Sequence, residues 1–569
     1  MNRFSLTMPD VLVIAGYFAV VIWVGFEFRN RVKSAGDYFA GGHQVPWWLA
    51  GISHYMSSFS AFSFVAYAQL GYRWGWVSVT LFWVTVPACL LGGLIFAKRW
   101  RRARVITPVE FLESRFNTLI RQLFAWAGVP MKLFEDGLKI FATSLFLATS
   151  IGLPVKWSIA ACGAVTIFYT LLGGLWALVV TDYVQFLMKS LAMLLLLPLA
   201  IWRAGGLQHA FASAPPGFFH PVNGPFNWVY LLGFAVLIAT SYNGSWALAQ
   251  KYYSVRDTRD ASKAAYLSAA LNFLGAPVMI VPAMIGRQIL PDLISQNRTA
   301  DAYVLLVLKV LPAGLVGIII AALLSATMAT VSADFNSIAG VLTQDVYHRL
   351  LRPTATARQL VRVGRLITLV VGLLSMGCSL WIAFSGQQSL LELMVMVAGV
   401  FLAPSYLPLL AALISRRLTW KGALLGYSFG IASGFAMLTW RFSLVSHHSV
   451  AWMHGFDGIT ILLNTMVTIA GMWAGSQFLQ STPAEQKRID TFFQKLDQPV
   501  VPASTSEGPG ATLAKTTIAV GGLLAAAALL TGTVQAKIID FGVALALITI
   551  GFAMWRHSRR TVSIEKLVR

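Results

Sequence analysis

Ser53-His-Tyr-Met-Ser-Ser-Phe-Ser-Ala-Phe-Ser63 packs five serines, a tyrosine and a histidine into the middle of an apolar run, 46–70, that is long enough to cross a bilayer. In hydrocarbon an unpaired polar group is costly. A spanning segment this polar therefore faces protein, a water-filled path or a bound solute. A hydroxyl-rich face made for close helix packing is the competing reading, because small residues let helices approach. The segment by itself leaves both open.

The rest of the chain sets the context. Of its 569 residues 57% are apolar and 11% charged, against about a quarter charged in soluble domains. The composition is that of an all-α polytopic membrane protein. The formal charge of +21 invites a nucleic-acid reading. Basic residues confined to short connections between apolar runs have a simpler cause, the orientation bias of insertion, so no nucleic-acid partner is expected. Cys89, Cys162 and Cys378 all lie in apolar runs and form neither a metal spacing nor a disulfide framework. No Gly-rich phosphate loop, Walker motif, nucleophile elbow or metal pair is present. The expectation is a protein that is not an enzyme and has no ATP-driven motor of its own.

Fifteen runs are long enough to span: 8–27, 46–70, 76–97, 122–150, 157–176, 180–203, 226–249, 262–286, 304–346, 363–385, 389–414, 421–440, 458–479, 515–534 and 538–556. The run at 304–346 exceeds one plain span, which implies tilt or a separate outer helix. Connections rich in Lys and Arg, such as Lys98–Arg104 and Arg349–Arg362, alternate with poor ones. This predicts a multi-pass protein of the inner (plasma) membrane, N-terminus outside and C-terminus cytoplasmic. The first run is read as a retained span and not a cleaved signal. Residues 480–513 form the longest polar stretch, a short surface helix over 485–496 and then a Pro/Ser/Gly-rich linker over 499–510.

Span 226–249 contains a second interruption, Ser241-Tyr-Asn-Gly-Ser245, where Asn243 and Gly244 weaken a helix interior and Tyr242 and Ser245 add polar groups. Broken spans at matching places in two halves point to a transporter binding site. These two lie five spans apart, which fits two five-span repeats. A third polar stretch, Ser325-Ala-Thr-Met-Ala-Thr-Val-Ser-Ala-Asp-Phe-Asn-Ser337, offers the hydroxyls of Thr327, Thr330 and Ser332 beside Asp334 and Asn336. Oxygen ligands of this kind suit a hard cation. Asp182, beside Thr181 and Gln185, falls near a membrane boundary. Lys132, Glu135, Asp136 and Lys139 stand at i, i+4 spacings, Lys132–Asp136 and Glu135–Lys139, which reads as internal charge pairing. His54 reads equally as a titrating group or a packed one.

Several stretches resemble the sodium:solute symporter family, which includes the sodium/glucose cotransporters. They are Asp37-Tyr-Phe-Ala-Gly-Gly-His-Gln-Val-Pro-Trp-Trp48, Thr107-Pro-Val-Glu-Phe-Leu-Glu-Ser-Arg-Phe116, Gly173-Gly-Leu-Trp176 with Thr181-Asp182 and Gln185, Gln250-Lys251 and Asp345-Val-Tyr347. Together they cover about 10–440 and look like those of a bacterial member. The resemblance implies a leucine-transporter-type core of two inverted five-helix repeats with flanking helices, about fifteen in all. The expected divisions are 1–45 (extra helix and loop), 46–203 and 204–414 (the repeats), 415–479 (two more helices), 480–513 (cytoplasmic linker) and 514–569 (two C-terminal helices and a basic tail).

By the same resemblance Na+ would be held by the carbonyls of Met56, Phe59 and Ala326 and by positions Ala329 and Thr330. Many members carry two adjacent hydroxyls where this chain has Ala329-Thr330. Asp182 and Ser332 match part of a second cation or exit site. The expected solute-binding set is Ser57, Ser58, Phe62, Ser63, Tyr242, Asn243, Ser245 and Asn272. Phe62, Asn272 and Val395 depart from the galactose-type pattern. The function expected is sodium-coupled symport of a small polar organic solute, a sugar or sugar derivative, by alternating access. A solute-binding membrane sensor and a proton-coupled or uncoupled carrier of a small carboxylate or amino acid stand as alternatives.

Overall fold

A chain that must satisfy every backbone group without water folds into helices, and helices make up nearly all of this protein. Its computed structural model describes residues 7–29, 35–58, 60–212, 214–311, 315–385, 390–444, 449–479, 481–500, 510–530 and 534–568. In chain order the helices are α1 (Met8–Arg29), α2 (Ala35–Ala40), α3 (Trp47–Ser57), α4 (Ala61–Trp74), α5 (Val77–Trp83), α6 (Thr85–Leu91), α7 (Ala97–Ala103), α8 (Phe111–Arg115), α9 (Thr118–Ile151), α10 (Val155–Arg203), α11 (Leu207–Ala210), α12 (Trp228–Gly244) and α13 (Trp246–Tyr253). They continue as α14 (Thr258–Ile289), α15 (Ala302–Val310), α16 (Leu315–Val341), α17 (Ala357–Phe384), α18 (Leu390–Ile414), α19 (Trp420–Leu444), α20 (Val450–Phe478), α21 (Pro483–Asp497), α22 (Gly510–Leu530) and α23 (Val534–Val568). A π-helical turn, Gly92–Phe96, joins α6 to α7, and another, Leu342–Leu351, extends α16.

The fold is organised around α16. Every residue from Leu315 to Val341 is buried, as expected of a helix apolar on all sides. It packs against α10, α9, α1, α17, α3 and α4. The long run 304–346 thus resolves into a separate short helix, α15, and this central one. The polar stretch 480–500 contains α21, opened by a capping box of Thr482 and Glu485. The linker expected at 499–510 lies mostly in 501–509, outside the described residues.

By length and apolarity ten helices among the described residues can cross a membrane, or eleven with the bent pair α12–α13 taken as one span. That is fewer than the fifteen runs in the sequence, for local reasons. The α3–α4 break leaves two halves too short to qualify, and α9 carries its four charges mid-helix. Met8–Val24 and Val155–Phe168 are apolar stretches within the longer helices α1 and α10. Helical hydrogen bonding continues through Gly173–Gly174 and on across 177–179 in α10, joining the two runs 157–176 and 180–203 that the sequence separates. Tyr38 reaches the Thr170 carbonyl, and Leu175 lies against Gly41, so both flanks of the glycine pair lie beside α2.

One end of the molecule is stitched by charges. Arg121 meets Asp345 at 2.5 Å and Glu113 at 2.5 Å, while Arg349 donates to Glu113 at 2.6 Å. Arg115 donates to the carbonyls of Ser415 and Leu418. Glu113 lies in the connection between spans, and its hydrogen bonds to Arg349 lower its pKa to about 2 against the smaller opposing effect of burial. At the same end Val45 N–H donates to Ser254 O, tying the entry of α3 to the exit of α13. Further along the chain α19 and α20 meet on glycines. A Cβ on Gly475 would lie 2.7 Å from Gly422 Cα, and one on Gly471 3.0 Å from Gly426 Cα.

Candidate functional site

The opening stretch breaks where its serines cluster. Ser58 N–H still donates to His54 O, at 3.2 Å, closing α3. Ser60 is extended (φ −110°, ψ 174°), and Ser63 N–H donates to Ser60 O as α4 begins. The second break falls at Ser245 (φ −59°, ψ 134°), and α12 and α13 meet there at 50°. A helix end leaves carbonyls unsatisfied and a helix start leaves N–H groups unsatisfied. Each break therefore presents both kinds of group, together with hydroxyls, in the interior.

Both breaks open onto one cavity of about 150 Å³. From the first come Ser57, Ser58, Ser60, Phe62 and Ser63, and from the second Ser241, Tyr242 and Ser245. Tyr67, Phe82, Thr85, Ile238 and Met394 continue the wall. Of the residues expected to bind solute, Ser57, Ser58, Phe62, Ser63, Tyr242 and Ser245 line this space.

Asn243 and Asn272 do not. Asn243 donates to Ala88 O at 3.1 Å and Ala239 O at 2.8 Å, and its own carbonyl accepts from Trp100. It ties α12 to α6 and α7. Asn272 donates to Ser268 O at 2.8 Å, behind the cavity. His54 is also behind it, with Nδ1 2.9 Å from Ser268 Oγ and its ring stacked on Tyr252 at 4.9 Å. The packed reading of His54 holds.

The charged residues of α9 are the larger surprise. Lys132, Glu135 and Lys139 line the cavity with Asp334 of α16. The i, i+4 pairs expected from spacing are replaced by i, i+3 contacts, Lys132–Glu135 at 2.8 Å and Lys139–Asp136 at 3.0 Å. Both ammonium groups also reach Asp334, at 3.1 and 2.6 Å. A carboxylate nearly 200 residues away competes for the same lysines and redraws the pairing. Lys132 donates further to Ser245 Oγ at 3.1 Å, joining the charges to the second break. Glu135 and Lys139 side chains are each 19% exposed, against 5% and 4% for Lys132 and Asp334. All four line the cavity, Lys132 and Asp334 the more deeply buried. The signal was in the sequence, since four charges inside a spanning segment are costly and mark a pathway by default.

For a cation, Met56 closes α3 fully buried, and Thr330 sits in α16, which packs against α3. The Thr330 hydroxyl donates within its own helix, to Thr327 O at 2.9 Å and Ala326 O at 3.3 Å. Its lone pairs stay available to a cation. Ala329 is buried one position before it and offers only backbone oxygen, which accepts from Ser332 Oγ at 3.3 Å. Phe59 lies outside the described residues. Asp182 is fully buried in α10 and accepts from Ser53 of α3. It is an interior group and not one solvated at a boundary. Ser332 turns into its own helix.

Comparisons with known proteins show the family and the fold. The family model described as "Sodium:solute symporter family" matches residues 38–430. The sodium/sialic acid symporter of Aliivibrio fischeri is 25% identical over 74% of this chain and 86% of that protein. The sodium/glucose cotransporter of Vibrio parahaemolyticus is 26% identical over 74% and 83%, and rat sodium/glucose cotransporter 2 is 27% identical over 75% and 71%. A solved sodium-coupled sialic acid symporter, substrate-bound and outward-open, superposes with a TM-score of 0.70 at 22% identity, over 81% of this chain and 98% of that one. The fold is therefore the leucine-transporter type, all-helical and polytopic, and the chain belongs to the sodium:solute symporter family.

Proposed function

We propose that this sodium-coupled solute symporter carries a small polyhydroxylated solute without net charge, a sugar or sugar derivative, through the cavity between the two helix breaks. One observation carries the reading. The same cavity is lined by hydroxyls from both breaks and by two lysines matched by two carboxylates, Glu135 and Asp334. Paired charges give strong hydrogen bonds to hydroxyl groups but no net field to attract an anion. Alternation of ammonium and carboxylate also suits a zwitterionic amino acid, which is the second reading.

In this account Met56, Phe59, Ala326, Ala329 and Thr330 hold Na+ between the first break and α16. Bound sodium favours the form with the cavity open to one side, and solute binding at Ser57, Ser58, Ser63, Tyr242 and Ser245 precedes closure. The two repeats, 46–203 and 204–414, each contribute one broken helix to the site, and these breaks are where the chain bends as access alternates. The ion-stitched end carries the basic connections, which supports its placement on the cytoplasmic side.

A thermal-shift screen of the purified protein over neutral sugars, sugar acids, small carboxylates and amino acids, in sodium or potassium, tests the reading. Stabilisation by a neutral sugar in sodium alone is expected. Preference for an anion, or equal shifts in potassium, would overturn it, and a hit confined to amino acids would select the second reading.

A further inference from the structure

The charged cluster between α9 and α16 does not balance. Among the described residues two ammonium groups, Lys132 and Lys139, serve three carboxyl groups, Glu135, Asp136 and Asp334. Asp136 is the worst placed. Its side chain has no exposed surface, its Oδ1 accepts from Lys139 at 3.0 Å, and among the described residues no donor reaches its Oδ2. Lys139 is shared, and lies closer to Asp334 at 2.6 Å. A buried carboxylate left with one shared partner costs several kcal/mol.

We propose that Asp136 is a proton-binding site, holding a proton between α9 and α16 while the neighbouring carboxylates stay ionised. Two further observations support it. Asp136 and Asp334 share the Lys139 ammonium, at 3.0 and 2.6 Å, and a proton on Asp136 relieves the repulsion between two buried carboxylates that draw on one cation. On the other side, Gly137 packs against Cys378 and Ser379 of α17, and among the described residues the buried hydroxyls of Ser375 and Ser379 find no partner, so neither donates to Asp136.

A metal cation suits the place less well. A hard cation needs a shell of several oxygens, whereas the fixed contact of Asp136 is an ammonium. A proton needs a single acceptor. Other titratable groups come from α16 (Asp334), α17 (Cys378), α18 (Tyr406) and α4 (Tyr67), and from α10 (Cys162) farther along α9. Lys251 of α13 faces Asp334 and Asp182. Glu113 and Asp345 meet α9 at Arg121, about four turns away. Among the described residues the hydrogen bond to the Asp136 carboxyl comes from Lys139.

The proton adds to sodium coupling and does not depend on which solute is carried. Because Lys139 faces the cavity, a solute that draws it away from Asp136 strengthens the hold on the proton, and the two are linked reciprocally.

Infrared spectra of the purified protein in nanodiscs, in sodium, potassium or choline at neutral pH, test the assignment. A protonated-carboxyl C=O band that shifts in deuterium oxide is expected in all three salts. It should be absent in Asp136→Asn and retained in Glu135→Gln. A band unchanged in Asp136→Asn would overturn the proposal. A band lost in sodium alone would give the place to a metal cation and overturn it too. The amide is close in shape to a neutral acid, so failure of Asp136→Asn to fold while Glu135→Gln folds would show that the ionised form is required, and would also overturn it.

Discussion

Lys139 Nζ lies 2.6 Å from Asp334 Oδ2, joining α9 to the central helix α16 at the edge of the cavity. The contact spans 195 residues of chain. It converts a helix that would be awkward in hydrocarbon into one wall of a polar site.

Removing Asp334 leaves two buried ammonium groups short of a partner. Asp334→Ala should cost about 3–5 kcal/mol of stability, the range for breaking a buried ion pair, with Asp334→Asn milder. Thermal unfolding of the purified variants reads this directly. A variant as stable as the parent would mean that the lysines are satisfied elsewhere.

Thr330→Ala should separate sodium binding from folding. The hydroxyl bonds only carbonyls of its own helix, so its loss costs about 1 kcal/mol at most in stability. Sodium-dependent stabilisation should nevertheless shift to higher sodium, by about tenfold for each 1.4 kcal/mol of lost ligation. The measurement is unfolding temperature against sodium concentration. An unshifted curve removes Thr330 from the site.

Ser245→Ala deletes the acceptor that ties Lys132 to the second break. Affinity for the solute found by screening should fall by about five- to tenfold, in keeping with about 1–1.5 kcal/mol for a hydrogen bond. The sodium dependence in the absence of solute should not move. Titration of solute at saturating sodium is the check, and a parallel loss of sodium response would assign Ser245 a general structural role.

Gly475→Ala tests the seam between α19 and α20. The added Cβ would sit 2.7 Å from Gly422 Cα and 3.0 Å from Gly422 N, both backbone, so the helices must separate. Overpacking of this kind costs about 1–3 kcal/mol. Unfolding temperature should drop while sodium and solute responses persist.

Glu113 predicts a pH signature. Its pKa is depressed to about 2, chiefly by its bonds to Arg349. A depressed carboxyl stabilises the folded form fully above its unfolded value, about 4.3, and loses that contribution as pH falls through the folded value. Glu113→Gln should therefore unfold at a lower temperature than the parent at pH 7. The gap should shrink between about pH 4 and pH 2. A gap that stays constant down to the lowest pH would show that the carboxylate charge does not matter.

Local features of this protein are legible without a structure because they obey local rules. The serine cluster at 57–63 and Asn243-Gly244 interrupt helices through propensity and unpaired polarity, and both breaks stand where they were expected. Asn243 shows the limit. Its position at a break was visible, but its side chain bonds Ala88 and Ala239 instead of facing the cavity. The direction in which a polar side chain points depends on which helix lies beside it, and no spacing rule carries that information.

By itself the sequence determined the all-helical membrane fold, the two interrupted spans and the family, because apolar run length, backbone satisfaction and motif residues are properties of contiguous chain. The tertiary structure alone decided which polar groups share a space. Lys132 and Lys139 abandon the i, i+4 partners that helix geometry offers because Asp334 arrives from α16 at 3.1 and 2.6 Å. In a low-dielectric interior a nearer charge outweighs a regular spacing, and only the packing of α9 on α16 brings it near.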